Sequence, residues 1–281
     1  GSPAAGGHRV QGWGFVGSAH GSSRQYIDPM GELGHWLHKA WSSAKGMGLL
    51  LPSRCAICRQ WPAEPVCEAC IARFAQPRPR CLACALPVTA GVLRCGACLQ
   101  NSPPWARCLC AVDYAWPWRG LVARFKFREQ PGWERPLAWL MRSATWAEDT
   151  LHEADRVVPI PLSRERLAER GYNQSWLLAR QLAPDKADAS LLLRIRHTPA
   201  QRTLPRSERL TNLRGAFALD PLRAREVRGQ RLVLVDDVMT SGASLRAAAQ
   251  VLLQAGAAQV SAIVLARTGL GDNDADHEAG T

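Results

Sequence analysis

The stretch Arg231–Ser244, R-L-V-L-V-D-D-V-M-T-S-G-A-S, constrains the fold more than any other part of this 281-residue chain. Leu232–Val235 is a continuous apolar run, as a strand buried on both faces of a parallel sheet requires. It is expected to end in two adjacent carboxylates, Asp236 and Asp237. Thr240–Ser244 then lead into a helical pattern with Leu245, Ala248, Ala249 and Leu252 on one face. Gly256 stands where a left-handed residue stops a helix. A second buried strand, Val260–Ala266, follows. Strand, loop, helix and strand make a right-handed crossover in a parallel sheet, so the fold class is α/β.

That arrangement suggests a chemistry. Ligands of open parallel sheets bind at the carboxyl ends of the strands. Small residues let the backbone of Thr240, Ser241, Gly242, Ala243 and Ser244 approach a phosphate, and N–H groups at the helix start point towards it. Two carboxylates would repel a bare phosphate, but they suit sugar hydroxyls or a hydrated Mg(II). A sugar phosphate satisfies both halves. The segment is neither a Walker A loop nor a G-x-G-x-x-G dinucleotide fingerprint. The bland alternative is a serine-capped turn with two exposed acids.

Upstream, eight of the ten cysteines form four C-x-x-C pairs: Cys55/Cys58, Cys67/Cys70, Cys81/Cys84 and Cys95/Cys98. Two residues between cysteines let both sulfurs face one metal, and two such knuckles make a tetrahedral four-thiolate site. The segment is poor in aliphatic residues, so a structural Zn(II) would supply its folding free energy. A thioredoxin-like redox motif needs one such pair in a βαβ unit. Iron–sulfur spacings differ, and a disulfide scaffold needs secretion. Spacing leaves open sequential or interleaved pairing, with sequential preferred, and one zinc or two. Cys108 and Cys110 fall outside the pattern, in an expected strand Leu109–Ala115, as small core residues or inert thiols.

Composition narrows the partners. The net charge is +11, and all but four of the 35 basic residues are arginine. Such a balance favours phosphate-bearing partners. Residues 156–214 hold 12 Arg or Lys against 5 Asp or Glu. No apolar run approaches the ~20 residues of a membrane-spanning helix, and Gly1–Gly34 lacks a signal-peptide core. A cytoplasmic location is therefore expected. An amphipathic helix is expected over Glu32–Lys45.

Further motifs lie between. Arg156–Ile160 reads as a buried strand, followed by Pro161-Leu162-Ser163 and a basic turn with Arg164, Arg166 and Arg170. Arg170-Gly171-Tyr172-Asn173-Gln174 opens a helix, where Asn173 is equally a cap and a ligand contact. Leu191–Ile195 is another strand, and His197–Arg209 (H-T-P-A-Q-R-T-L-P-R-S-E-R) is a long polar segment. A solvated loop is one reading, but segments of that length without secondary structure are usually functional lids or disordered.

The apolar strand–D-D-x-x-[TS]-[TS]-G-x-[TS] pattern resembles the signature of type I phosphoribosyltransferases, which binds 5-phosphoribosyl-1-pyrophosphate (PRPP). Together with P-I-P-L-S-R-E-R, R-G-Y-N-Q, the 197–209 segment and the cysteine pairs, it is similar to the ComF family, with its ComFC and GntX-type members. The resemblance covers about Leu50 to Arg267. It implies a type I phosphoribosyltransferase domain behind a double zinc ribbon, with Asp236 and Asp237 on the ribose hydroxyls and Thr240–Ser244 on the 5′-phosphate. It also implies Mg(II) with PRPP, single-stranded DNA as a partner, competence-machinery proteins as further partners, and a role in DNA uptake and natural transformation. Arg164, Arg166, Arg170, Arg202 and Arg206 would meet pyrophosphate or a nucleic-acid backbone. The expected organisation is an amino-terminal segment (1–49), a cysteine module (50–107), the phosphoribosyltransferase-like domain (108–270) and an acidic tail (271–281). An active phosphoribosyltransferase with an unidentified base acceptor is the alternative reading.

Overall fold

The computed structural model describes residue 1 and residues 53–61, 63–127, 130–195 and 215–269. The expected helix Glu32–Lys45, the segment 197–209 with Arg202 and Arg206, and the tail 271–281 lie outside the described residues. The chain divides into two units, Gly1–Met47 and Gly48–Thr281, and the elements described here belong to the second.

Its strands are β1 (Cys108–Asp113), β2 (Arg156–Pro159), β3 (Leu192–Arg194), β4 (Phe217–Leu219), β5 (Arg231–Met239) and β6 (Gln259–Arg267). The main sheet has the order β1-β6-β5-β2, and every pairing in it is parallel. The α/β class expected from the sequence is therefore present. Strands β3 and β4 form a separate antiparallel pair. The helices are α1 (Glu68–Phe74), α2 (Gly96–Gln100), α3 (Trp118–Phe127), α4 (Glu134–Arg142), α5 (Ala147–Glu153), α6 (Arg164–Arg170), α7 (Gln174–Leu182) and α8 (Ala243–Gln254).

Side chains alternate along the strands, and the sheet consequently separates two apolar clusters. Leu232, Leu234, Val158 and Val260 join one cluster with Leu245, Ala248, Ala249 and Leu252 of α8. Val233, Val235, Val157 and Ile263 join the other, with Phe125 of α3, Leu137 and Met141 of α4, Leu151 of α5 and Leu178 of α7. Each large side chain buried this way contributes roughly 1.5–3 kcal/mol. The cysteine segment splits between the two faces. Cys55, Val66 and Cys70 pack into the α3–α7 cluster, whereas Cys81, Cys84, Leu86 and Trp105 pack into the α8 cluster.

Strands β2, β3 and β6 lie within one residue of their expected limits, whereas β1 and β5 depart further. Strand β1 begins at Cys108 and ends at Asp113, because Cys108 and Cys110 pair with Ala262 and Val264 of β6. Strand β5 does not stop at the two carboxylates. It runs on to Met239, since Val238 and Met239 stay in register with Ala266 and Arg267. Asp236 and Asp237 therefore lie inside the last turn of the ladder, just before the loop.

Candidate functional site

Register places the carboxyl ends of the strands at one edge: Asp113 opposite Arg267, and Arg267 opposite Met239. The acid pair, the loop and the turn after β2 meet there. Asp237 is 6% exposed and receives Lys126 Nζ from the end of α3 at 2.9 Å. Asp236 is partly buried, and its Oδ1 accepts from Ser175 Oγ at 2.9 Å and from the Asp237 N–H at 3.0 Å. Burial, and then the charge of Asp237, push the Asp236 carboxyl up to about 7, while Lys126 and Ser175 pull the other way. Two acids side by side in a poorly hydrated place cannot both ionise freely. A ligand that offers hydroxyls or a cation would relieve that conflict.

The loop that follows is held in one conformation. Gly242 has φ +77°, the left-handed region that favours glycine, and it directly precedes α8. A Cβ there would stand 2.6 Å from Met239 Cε. Ser241 Oγ accepts from the Ala243 N–H at 3.3 Å. Beneath the loop lies Arg267, 3% exposed, whose Nη1 donates to the carbonyls of Met239 (3.0 Å), Thr240 (2.6 Å) and Thr268 (2.7 Å). The resulting small-residue cradle opens onto the start of a 12-residue helix, which is the geometry of an anion site.

The turn after β2 supports the acids from the other side. Ser163 caps α6, with its Oγ accepting from the Arg166 N–H at 3.4 Å. Gly171 ends that helix at φ +74°. Asn173 is a cap: its Oδ1 accepts from the N–H groups of Ser175 (3.0 Å) and Trp176 (3.4 Å), and its Nδ2 donates to the Ile160 carbonyl at 3.1 Å. That cap fixes Ser175 in place for Asp236. Tyr172 Oη donates to the Phe125 carbonyl at 2.5 Å, one residue before Lys126, and so ties α3 to the same motif. Of the arginines here, Arg164 is exposed and Arg166 partly buried. Arg170 is also partly buried and donates to Gln174 Oε1 at 3.0 Å.

Four participants carry no local sequence signal: Lys126, Ser175, Arg194 and Arg267. Burial and neighbouring Arg166 push the Arg194 guanidinium down from its ordinary range, and Asp236 opposes them. Arg194 is thus a further cation that feels the charges of Arg166 and Asp236. The only faint hints in the sequence are that Lys126 is one of four lysines among many arginines, and that Arg267 ends an otherwise apolar strand.

The eight paired cysteines gather as two sequential groups, Cys55/Cys58/Cys67/Cys70 and Cys81/Cys84/Cys95/Cys98, with sulfurs within 4.8 Å of one another in each. The two groups are built alike. Each first pair is a knuckle followed by a left-handed residue, Arg59 (φ +67°) or Ala85 (φ +58°). Each second pair starts a helix, with Cys67 preceding α1 and Cys95 preceding α2. Burial raises the Cys55 thiol, but the N–H groups of Cys67, Cys58 and Ile57 outweigh it and bring it down to about 6. Burial likewise opposes the N–H groups of Cys95, Cys84 and Ala83, which lower Cys81 to about 7. Backbone donors aimed at sulfur suit thiolates that bind a metal, so either group could hold zinc. Cys108 and Cys110 lie outside both groups, buried in the sheet core, where burial pushes their thiols up. Among the described residues, no helix is long and apolar enough to cross a membrane.

A family model described as a phosphoribosyl transferase domain matches residues 178–279. The DNA utilization protein YhgH of Escherichia coli (strain K12) is 35% identical over 229 residues, covering 78% of this chain and 99% of that protein. Competence protein F of Haemophilus influenzae is 31% identical over 225 residues, covering 76% of this chain and 96% of that protein. Competence protein ComFC of Bacillus subtilis is 38% identical over 113 residues, covering 40% of this chain and 44% of that protein. Among solved structures, the allosteric regulatory enzyme of purine biosynthesis aligns at a TM-score of 0.30 and 20% identity, covering 47% of this chain and 25% of that one. That likeness is too low to carry an argument. The domain match and the parallel sheet agree with the expected phosphoribosyltransferase-type fold, and the two cysteine groups are compatible with zinc ribbons.

Proposed function

This chain belongs to the ComF family, and from that premise we propose that it binds PRPP or a related sugar phosphate together with single-stranded DNA, in the uptake and use of external DNA. One observation carries the sugar-phosphate half. A single strand, β5, delivers one buried and one partly buried carboxylate and then a glycine-shaped loop at a helix start. Ribose hydroxyls suit Asp236 and Asp237, and the 5′-phosphate suits the N–H groups of Thr240–Ser244. Asp236 and Asp237 are the residues that would hold Mg(II), which would neutralise phosphate charge. Lys126 pairs with Asp237, Ser175 orients Asp236, and Arg166 with Arg194 supply positive charge on the same side.

The DNA half is supported by the relatives' names and by the surplus of arginine in residues 156–214. Exposed guanidinium groups attract the backbone, and exposed Trp116, packed edge-on against Phe74 at 4.9 Å, offers a face for base stacking. A second reading, catalytic transfer of the phosphoribosyl group to a base, is favoured by the cations beside Asp236, where pyrophosphate could leave. Base-dependent release of pyrophosphate from PRPP discriminates between the two.

The primary test is thermal unfolding with PRPP and Mg(II). A ligand at about 100 times its Kd adds ~2.7 kcal/mol of stability, a clear rise in Tm. Asp237→Asn should reduce that rise. Equal stabilisation of variant and parent overturns the assignment of the acids. DNA binding should weaken with salt at a log–log slope of about −0.7 per phosphate contacted, and binding insensitive to salt overturns the backbone-contact reading.

A further inference from the structure

The second cysteine knuckle and the phosphate loop share their supports. Three consecutive carbonyls of that knuckle, those of Leu82, Ala83 and Cys84, are each taken by a donor from the sheet side. The Cys108 N–H donates to Leu82 at 2.7 Å. Trp105 Nε1 donates to Ala83 at 2.6 Å, and Arg267 Nε donates to Cys84 at 2.8 Å. Each of these three residues also reaches the loop or the strand end that leads into it. The other arm of the Arg267 guanidinium binds the carbonyls of Met239 and Thr240. The Trp105 ring lies 3.6 Å from where a Cβ on Gly242 would stand, and Cys108 Sγ lies 3.6 Å from Met239 Sδ. A planar guanidinium has a fixed fork, so moving one set of acceptors moves the other. The first group is tied differently. Its knuckle hydrogen bonds are local, Arg59 N–H to the Cys55 carbonyl and Ala56 N–H to the Pro65 carbonyl, and it packs on the opposite face of the sheet.

We propose that the second cysteine group, Cys81/Cys84/Cys95/Cys98, is a positioning element for the phosphate loop, acting through Arg267 and Trp105, whereas the first group is not. With its thiolates gathered on a metal, the knuckle carbonyls are fixed, and the loop 239–244 is held ready for an anion. With the group opened, Arg267 loses one of its two anchorages and the loop loosens. Metal occupancy of the second group and ligand occupancy of the loop then favour each other, as linkage requires. The ligand half of this statement rests on the sugar-phosphate reading. The loop half does not.

The test is amide hydrogen exchange of the full chain over residues 240–244, comparing Cys95→Ser with Cys67→Ser. These are matched positions, each half-buried and each preceding a short helix. Cys95→Ser should speed exchange there by about tenfold or more, and Cys67→Ser should leave it within about twofold. Trp105→Phe removes both the donor to Ala83 and the distal ring beside Gly242, so it cuts the same link without touching the cysteines if Cys95→Ser fails to fold. Arg267→Lys keeps the charge but cannot span both sets of acceptors, and should loosen the loop while metal content is unchanged. Conversely, PRPP with Mg(II) should slow removal by a chelator of one metal fraction and not the other. Unchanged loop exchange in the Cys95→Ser and Trp105→Phe chains, or equal loosening by Cys67→Ser, overturns the proposal. A parent chain that PRPP does not stabilise overturns the sugar-phosphate reading instead, and the exchange comparison still decides the coupling.

Discussion

Replacing Asp236 by Asn removes a charge but keeps the oxygen that accepts from Ser175 Oγ at 2.9 Å. Burial and the neighbouring Asp237 hold this carboxyl at about 7, against an ordinary 3.8. Between those values the folded chain retains a proton that the unfolded chain has lost. Stability therefore falls as pH rises through this window, is fully present below about pH 4, and levels off above about pH 7. At ~1.4 kcal/mol per pH unit, the window corresponds to at most ~4 kcal/mol. Asp236 is only partly buried, so ~1–3 kcal/mol is the expected size. The Asn side chain carries no such penalty. Asp236→Asn should match the parent at about pH 4 and exceed it by ~1–3 kcal/mol at about pH 8. Urea denaturation at both pH values, without Mg(II), measures the difference. A gap between variant and parent that is the same at both pH values would show that Asp236 is not the strained acid.

Metal analysis after extensive dialysis should find two zinc ions per chain, one for each cysteine group. Iron with visible absorbance, or folded protein without metal, contradicts that. Gly242→Ala places an L residue at φ +77° and a Cβ 2.6 Å from Met239 Cε. It should lower stability by ~1–2 kcal/mol and blunt stabilisation by PRPP, and a thermal melt like the parent's, with full ligand response, refutes the strained-loop account.

The crossover β5–α8–β6 and the loop between its halves were legible because their signals are local. Apolar runs, one glycine and a helical period of small residues sit within about forty positions. The sequential grouping of cysteines was legible too, as the simpler of two options. What escaped depends on distant parts of the chain. Lys126 meets Asp237 only because α3 ends above β5, and nothing around Lys126 announces that. Arg267 looks like the polar end of a strand until its acceptors in the loop and knuckle are known. The helices from Trp118 to Glu153 went unread, and β4, with three residues, is too short for a period to show. The end of β5 was misplaced because two acids mimic a strand terminus, whereas the ladder continues through Val238 and Met239.

The strand order has a consequence for the birth of the chain. Among the described residues, strand β1 pairs only with β6, which is made roughly 150 residues later. Contacts of such separation form late and slowly, and synthesis proceeds at roughly 5–20 residues per second from the amino terminus. For many seconds, then, the cysteine segment and β1 emerge with their sheet partner unmade. What can hold that early segment is what lies within it: two knuckles, two short helices and the thiols that face each other. Its order during translation is local, and the sheet that finally covers both of its halves arrives last.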